Sequence, residues 1–238
     1  MSIETRTPDT GTTRPVSLPA AGRRPDLAVL VRPDSPEAEA YRALRASIKF
    51  AGDERPARSI LLADAGAGDE RATIAANVAT ALAAAGDATL LIDADLRHPA
   101  QHRIFGVDND EGVSTYLRGR GDALLPLAPT AVPDLALLPA GPTPPDPAEL
   151  LASDRLRRLL AQAREAAEFI IVDAPPVTAV ADALAVAAAV DGVLLIVRSG
   201  RTRRTAAQRA KEQLLRVGAN LLGVVLADAP VGRDAYRY

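Results

Sequence analysis

Residues 58–78, RSILLADAGAGDERATIAANV, constrain this chain more than any other stretch. The apolar run Ile60, Leu61, Leu62 reads as a buried strand, a Gly-rich loop follows, and a helix opens near Ala72. Together these form the frame of a phosphate-binding loop. Backbone N–H groups at the helix start point at the anion, and the helix dipole favours negative charge there. A working loop of this kind also carries G-K-[ST], whose Lys reaches the β/γ-phosphates and whose hydroxyl holds Mg²⁺. Here that place reads Glu70-Arg71-Ala72. The frame is present and its chemistry is altered.

The rest of the chain alternates strand and helix. Ser35-Pro36 supplies an N-cap and a first-turn proline to a helix running to about Phe50. On it, Glu39, Arg42 and Arg45 share one flank, which spacing alone reads as a solvated face. A helix of small residues after the glycine loop ends at Gly86, a C-cap. Apolar strands are expected at Thr89–Ile92, Leu135–Leu138, Phe169–Val172, Val193–Val197 and Leu221–Leu226, with helices over 148–166, 179–190 and 203–217. Residues 106–134 read as mixed and loop-rich. Strands that are apolar nearly throughout predict an α/β fold, a mostly parallel sheet with helices on both faces. Residues 1–34 show no period and read as a disordered or loosely docked arm, 35–232 as the domain, and 233–238 as a short tail.

Carboxylates fall where such sheets bind ligands, just past the strand ends. Asp93 and Asp95 follow the second strand, and Asp173 follows the apolar run Phe169–Val172 in FIIVDAPP in the manner of a Walker B carboxylate that holds Mg²⁺ through water. Arg198, Arg201, Arg203 and Arg204 cluster at a later strand end; such a cluster can contact phosphate or an acidic partner, and the preferred reading is a solvated helix start. Two of the four Tyr, Tyr236 and Tyr238, sit in the last three residues, where no core needs filling.

Composition removes several alternatives. A net charge of -2 argues against general nucleic-acid binding. The absence of Cys excludes disulfides and thiolate zinc sites and suits the cytosol. His98 and His102 alone are too few for a metal centre. No apolar run reaches the ~18 residues of a membrane helix and no signal peptide is visible, so a membrane role is expected to run through a partner. Of 28 basic residues only Lys49 and Lys211 are Lys, so Arg for Lys is uninformative on the surface. At a phosphate site the two are not interchangeable.

From about Ser35 to the C-terminus the chain resembles the bacterial tyrosine kinases (BY-kinases) of capsule and exopolysaccharide export, the CpsD/CapB type, which are MinD/ParA-like P-loop proteins. SPEAEAYRALRASIKFA resembles the family's first helix, and Glu39-x-x-Arg42-x-x-Arg45 matches its ring-forming motif, displacing the solvated-face reading. LLIDADLRHPAQHRIFG resembles the second Walker motif, with Asp93 and Asp95 in the catalytic and metal-associated places. GPTPPDPAELLASDRL and FIIVDAPPV follow the family, which makes Asp173 the Walker B Asp and, with Asp95, the expected metal pair. Tyr236 and Tyr238 lie where the family carries its autophosphorylated cluster.

The resemblance implies Mg²⁺ and ATP as cofactors, tyrosine phosphorylation within a ring, a transmembrane polysaccharide co-polymerase as a separate activating partner, and a cytoplasmic site at the inner face of the membrane. The departures gather where ATP binds. The family's G-E-G-K-S-T corresponds to Gly68-Asp69-Glu70-Arg71-Ala72-Thr73, with Gly66 earlier in the same loop. Glu70 adds negative charge, and a charge about 4 Å from a phosphate costs up to ~4 kcal/mol at an effective dielectric near 20. Ala72 removes the Mg²⁺-binding hydroxyl. The expectation is therefore a regulator or scaffold with impaired ATP binding. An active autokinase of the same pathway and, from another class, a MinD/ParA-type positioning ATPase are the alternatives.

Overall fold

The computed structural model describes residues 26–51, 57–66, 70–119 and 123–229. The arm before residue 26, Gly68 and Asp69 of the loop, and tail residues Tyr236 and Tyr238 lie outside them.

In chain order the elements are α1 (Ala28–Val31), α2 (Pro36–Lys49), β1 (Ser59–Asp64), α3 (Glu70–Ala83), β2 (Thr89–Asp93), α4 (Gln101–Phe105), α5 (Val113–Arg118), β3 (Ala128–Pro129), β4 (Leu135–Leu138), α6 (Pro147–Leu151), α7 (Asp154–Ala166), β5 (Phe169–Asp173), α8 (Asp182–Ala187), β6 (Gly192–Arg198), α9 (Arg204–Arg216) and β7 (Leu221–Ala227). The sheet order is β3-β4-β2-β5-β1-β6-β7, parallel throughout except for the short edge strand β3 against β4.

Successive residues of β1 explain why both faces are covered. Leu61 points into one apolar layer with Leu90, Ile92 and Leu195, closed by Leu117, Leu151, Leu159, Val186 and Leu214 from α5 to α9. Ile60 and Leu62 point into the other with Leu91 and Ile171, closed by Leu27, Ile48, Val78, Leu82 and Phe105. The fully buried strands are what their unbroken apolar runs require. α2 starts as its sequence predicts: the Ser35 Oγ accepts from the Ala38 N–H at 3.1 Å, with Pro36 in the first turn.

Three expectations change. Residues 26–34 are not part of a loose arm, because Leu27 and Ala28 are buried and α1 seats them beneath α2 and α3. The single helix over 148–166 is two, α6 and α7, separated at Ala152–Ser153. The loop-rich middle contains α5, whose start is held tightly: a Cβ on Gly112 would stand 2.0 Å from the Pro139 carbonyl oxygen. Gly86 does terminate its turn in the left-handed region, at φ 85°.

Candidate functional site

Four neighbouring strands end in charge. Asp93 closes β2, Asp173 closes β5, Asp64 closes β1 and Arg198 closes β6. Because β2, β5, β1 and β6 are adjacent and parallel, all four side chains come to one rim of the sheet, with Asp93 paired in register with Asp173. This is the rim at which open α/β sheets bind ligands.

Arg71 enters that rim from the first turn of α3. It is only 5% exposed, and its guanidinium is turned into the protein. Its Nε donates to Asp173 Oδ1 at 2.5 Å and its Nη2 to Asp95 Oδ2 at 2.7 Å. Burial alone would draw its pKa down, but Asp173 and Asp95 outweigh that and hold the guanidinium more firmly protonated than a free one. Gln101, at the start of α4, completes the set: its Nε2 donates to Asp173 Oδ2 at 2.7 Å and to the Ala72 carbonyl at 3.0 Å. Burial pushes the Asp173 carboxyl up, against the pull of Arg71 and Gln101.

Asp93 and Asp95 divide their work. Asp95 turns the chain after β2, its Oδ1 accepting from the His98 N–H at 2.9 Å while Oδ2 takes Arg71. Asp93 accepts from three backbone N–H groups, those of Asp95, Ala100 and Gln101. Among the described residues it bonds no cation. Burial and then the neighbouring Asp173 carboxylate push its pKa up to about 7. It is the carboxyl of this cluster best placed to hold a proton.

Glu70 occupies the place of the loop's glycine, and its charge is answered inside the chain. Its carboxylate pairs with Arg198 Nη1 at 2.9 Å and with Arg201 Nη1 at 3.2 Å. Arg198 also reaches Asp64 Oδ2 at 3.1 Å, and Asp64 Oδ1 accepts from the Gly66 N–H at 2.7 Å. Burial pushes the Asp64 carboxyl up, with the Gly66 and Arg198 contacts opposing. The basic cluster at the β6 end is therefore not simply a solvated helix start: Arg198 is buried, whereas Arg203 and Arg204 are exposed. The sequence held the signal, an Arg at the end of an apolar strand. What it lacked was the strand order that sets β6 beside β1.

The remaining expected residues fall as follows. Ala72 is buried beside Gln101, and Thr73 is exposed, its carbonyl taken by Asn77. Gly66 lies at the loop's start, with Thr202 facing it. Glu39, Arg42 and Arg45 are on α2; Arg42 donates to Glu39 at 2.7 Å and to the Pro33 carbonyl at 2.8 Å. As arranged, Asp95 and Asp173 do not fit a Mg²⁺ ion, since a guanidinium already takes an oxygen of each. Among the described residues no three His, Asp or Glu side chains converge in a metal-ligating group.

This architecture has recognisable relatives. The chain is 36% identical over 201 residues to tyrosine-protein kinase YwqD of Bacillus subtilis (strain 168), spanning 84% of this chain and 85% of that protein. The chain belongs to the BY-kinase family. Putative tyrosine-protein kinase CapB of Staphylococcus aureus is 32% identical over 207 residues, 87% of this chain and 91% of CapB. The kinase domain of Escherichia coli tyrosine kinase ETK superposes with a TM-score of 0.82 at 30% identity, covering 92% of this chain and 85% of that domain. The family of the ATPase MipZ matches residues 58–199, the core from β1 to the end of β6. The fold is thus the MinD/ParA-like P-loop architecture of the BY-kinases, as the motifs implied.

Proposed function

We propose that this BY-kinase family protein acts in capsular or exopolysaccharide biosynthesis as a regulator or scaffold whose Mg·ATP binding is impaired. The observation that carries the proposal is the Arg71 guanidinium clasped between Asp95 and Asp173. Seating Mg·ATP requires the guanidinium to leave both carboxylates. Two charge-assisted hydrogen bonds at ~1.5–3 kcal/mol each amount to ~3–6 kcal/mol, or roughly a hundred- to ten-thousandfold in affinity. Glu70 occupies Arg198 and Arg201, cations that would otherwise face the loop's anion, and Ala72 supplies no hydroxyl for the metal.

What the chain retains suits an assembly role. α2 presents Glu39 and Arg42 on a flank outside both apolar layers, in the spacing of the family's ring-forming motif. Self-association through it, a transmembrane co-polymerase as partner and a cytoplasmic position at the inner membrane face belong to the same proposal. In it Tyr236 and Tyr238 receive phosphate from another kinase. Among the described residues no helix is long and apolar enough to cross a membrane.

One observation favours the rival, an active autokinase: a buried Asp93 carboxyl with a pKa near 7 is suited to accept a tyrosine proton at neutral pH. Calorimetric titration of the full chain with Mg·ATP and Mg·ADP separates the two, alongside an Arg71→Lys, Glu70→Gly, Ala72→Ser variant. No heat from the native protein together with binding by the variant is the expected result. Micromolar binding by the native protein refutes the scaffold and makes tyrosine autophosphorylation the next assay.

A further inference from the structure

The misfit between the acidic pair and Mg²⁺ has its own content. Asp95 and Asp173 are nearly sealed from solvent, with side chains 4% and 1% exposed, and they lie beside the equally buried Asp93. Carboxylates at that depth require a counter-charge. Arg71 provides it from within the chain, one nitrogen to each carboxylate, while Gln101 fixes the remaining Asp173 oxygen. Glu70 does the complementary thing for Arg198, whose buried Nε has no partner among the described residues. The centre thus carries its own cation and its own anion.

We infer that Arg71 is a tethered stand-in for a divalent cation, which makes the folded centre independent of metal and nucleotide and hides a latent hard-metal site on Asp95 and Asp173. The inference rests on the proposed impairment of Mg·ATP binding and adds its physical cause. Removing the guanidinium leaves hard oxygen donors, Asp95 Oδ2 and Asp173 Oδ1, with no counter-ion between them. Such donors suit Mg²⁺ or Mn²⁺. A permanently filled centre also removes the ligand as an input, so that assembly does not follow the nucleotide supply.

The probe is Mn²⁺ alone, without nucleotide, followed by electron paramagnetic resonance of free Mn²⁺ and by thermal unfolding. The native full chain is expected to leave millimolar Mn²⁺ unbound and to unfold at the same temperature in Mn²⁺ and in EDTA. Arg71→Gln is expected to unfold at a lower temperature in EDTA and to be returned toward the native value by Mn²⁺, with loss of the free-Mn²⁺ signal. If Arg71→Gln does not fold without metal, its refolded yield in Mn²⁺ against EDTA gives the same readout. Native protein that binds Mn²⁺ as well as the variant overturns the inference, and so does a variant that neither binds Mn²⁺ nor gains stability or yield from it. The two proposals fail separately. Mg·ATP binding by the native chain sinks the scaffold, whereas an Arg71→Gln variant indifferent to Mn²⁺ sinks only the tethered cation.

Discussion

Restoring the family's lysine by Arg71→Lys, with nothing else changed, should weaken the ligand-free protein. Arg71 contacts its two partners through different nitrogens, Nε to Asp173 and Nη2 to Asp95, from a rigid planar fork. A lysine ammonium is a single point at the end of a flexible stem and holds one of the two well. The loss is one charge-assisted hydrogen bond, ~2 kcal/mol. For a domain of 150–250 residues that lowers Tm by ~4–8 °C. Arg71→Met, which strands both carboxylates, should cost more, ~3–5 kcal/mol. The assay is urea and thermal unfolding of native, Lys and Met proteins in EDTA, and the expected order of stability is native, then Lys, then Met. A Lys protein as stable as the native one, or more so, refutes the claim that the guanidinium fork holds this centre together.

Other outcomes follow from other parts of the fold. Asp191 accepts from the Ser59 N–H and Oγ at 2.8 Å, from the Arg58 N–H at 3.1 Å and from Arg164 at 2.7 Å. Burial pushes its pKa up, but these contacts outweigh burial and set it below the ordinary value. Its contribution is therefore present above the unfolded pKa of about 3.9 and lost as pH falls through the lower folded one. Asp191→Ala should be less stable than native protein at neutral pH and converge with it in acid; a difference that stays constant with pH would contradict this. Gly112→Ala drives a Cβ against the backbone at Pro139 and Gly141 and should cost ~1–3 kcal/mol, read as a lower urea midpoint. On α2, the joint change Glu39→Ala, Arg42→Ala, Arg45→Ala should lower the mass seen by light scattering. Its effect on stability should stay within ~1 kcal/mol, because the Arg42–Glu39 pair and the Arg42 bond to the Pro33 carbonyl are exposed. An unchanged mass removes α2 as an assembly surface.

Much of this protein was legible in one dimension. Runs such as Ile60–Leu62 and Phe169–Val172 lack polar alternation, and only a sheet buried on both faces accommodates that. Ser35-Pro36 and Gly86 mark helix ends by local chemistry that needs no distant partner. The ordered motifs name the family, and Glu70-Arg71-Ala72 shows on its face that the phosphate loop has changed. Less was legible where contacts are distant. α1 packs because Leu27 finds α2 and α3, and the break between α6 and α7 falls at Ser153, whose extended backbone is the N-cap of α7, with no proline or glycine to mark it.

The direction of Arg71 belongs to the same class. Composition and spacing leave a guanidinium in that loop free to reach outward to a phosphate or inward to acid. The strand order β2-β5-β1-β6 sets Asp95 and Asp173 within its reach, from 24 and 102 residues away, and Arg198 within reach of Glu70. Local pattern determines elements because its forces act over a few residues. Charge pairing is decided by which strand ends the sheet brings together, and only the folded structure holds that information.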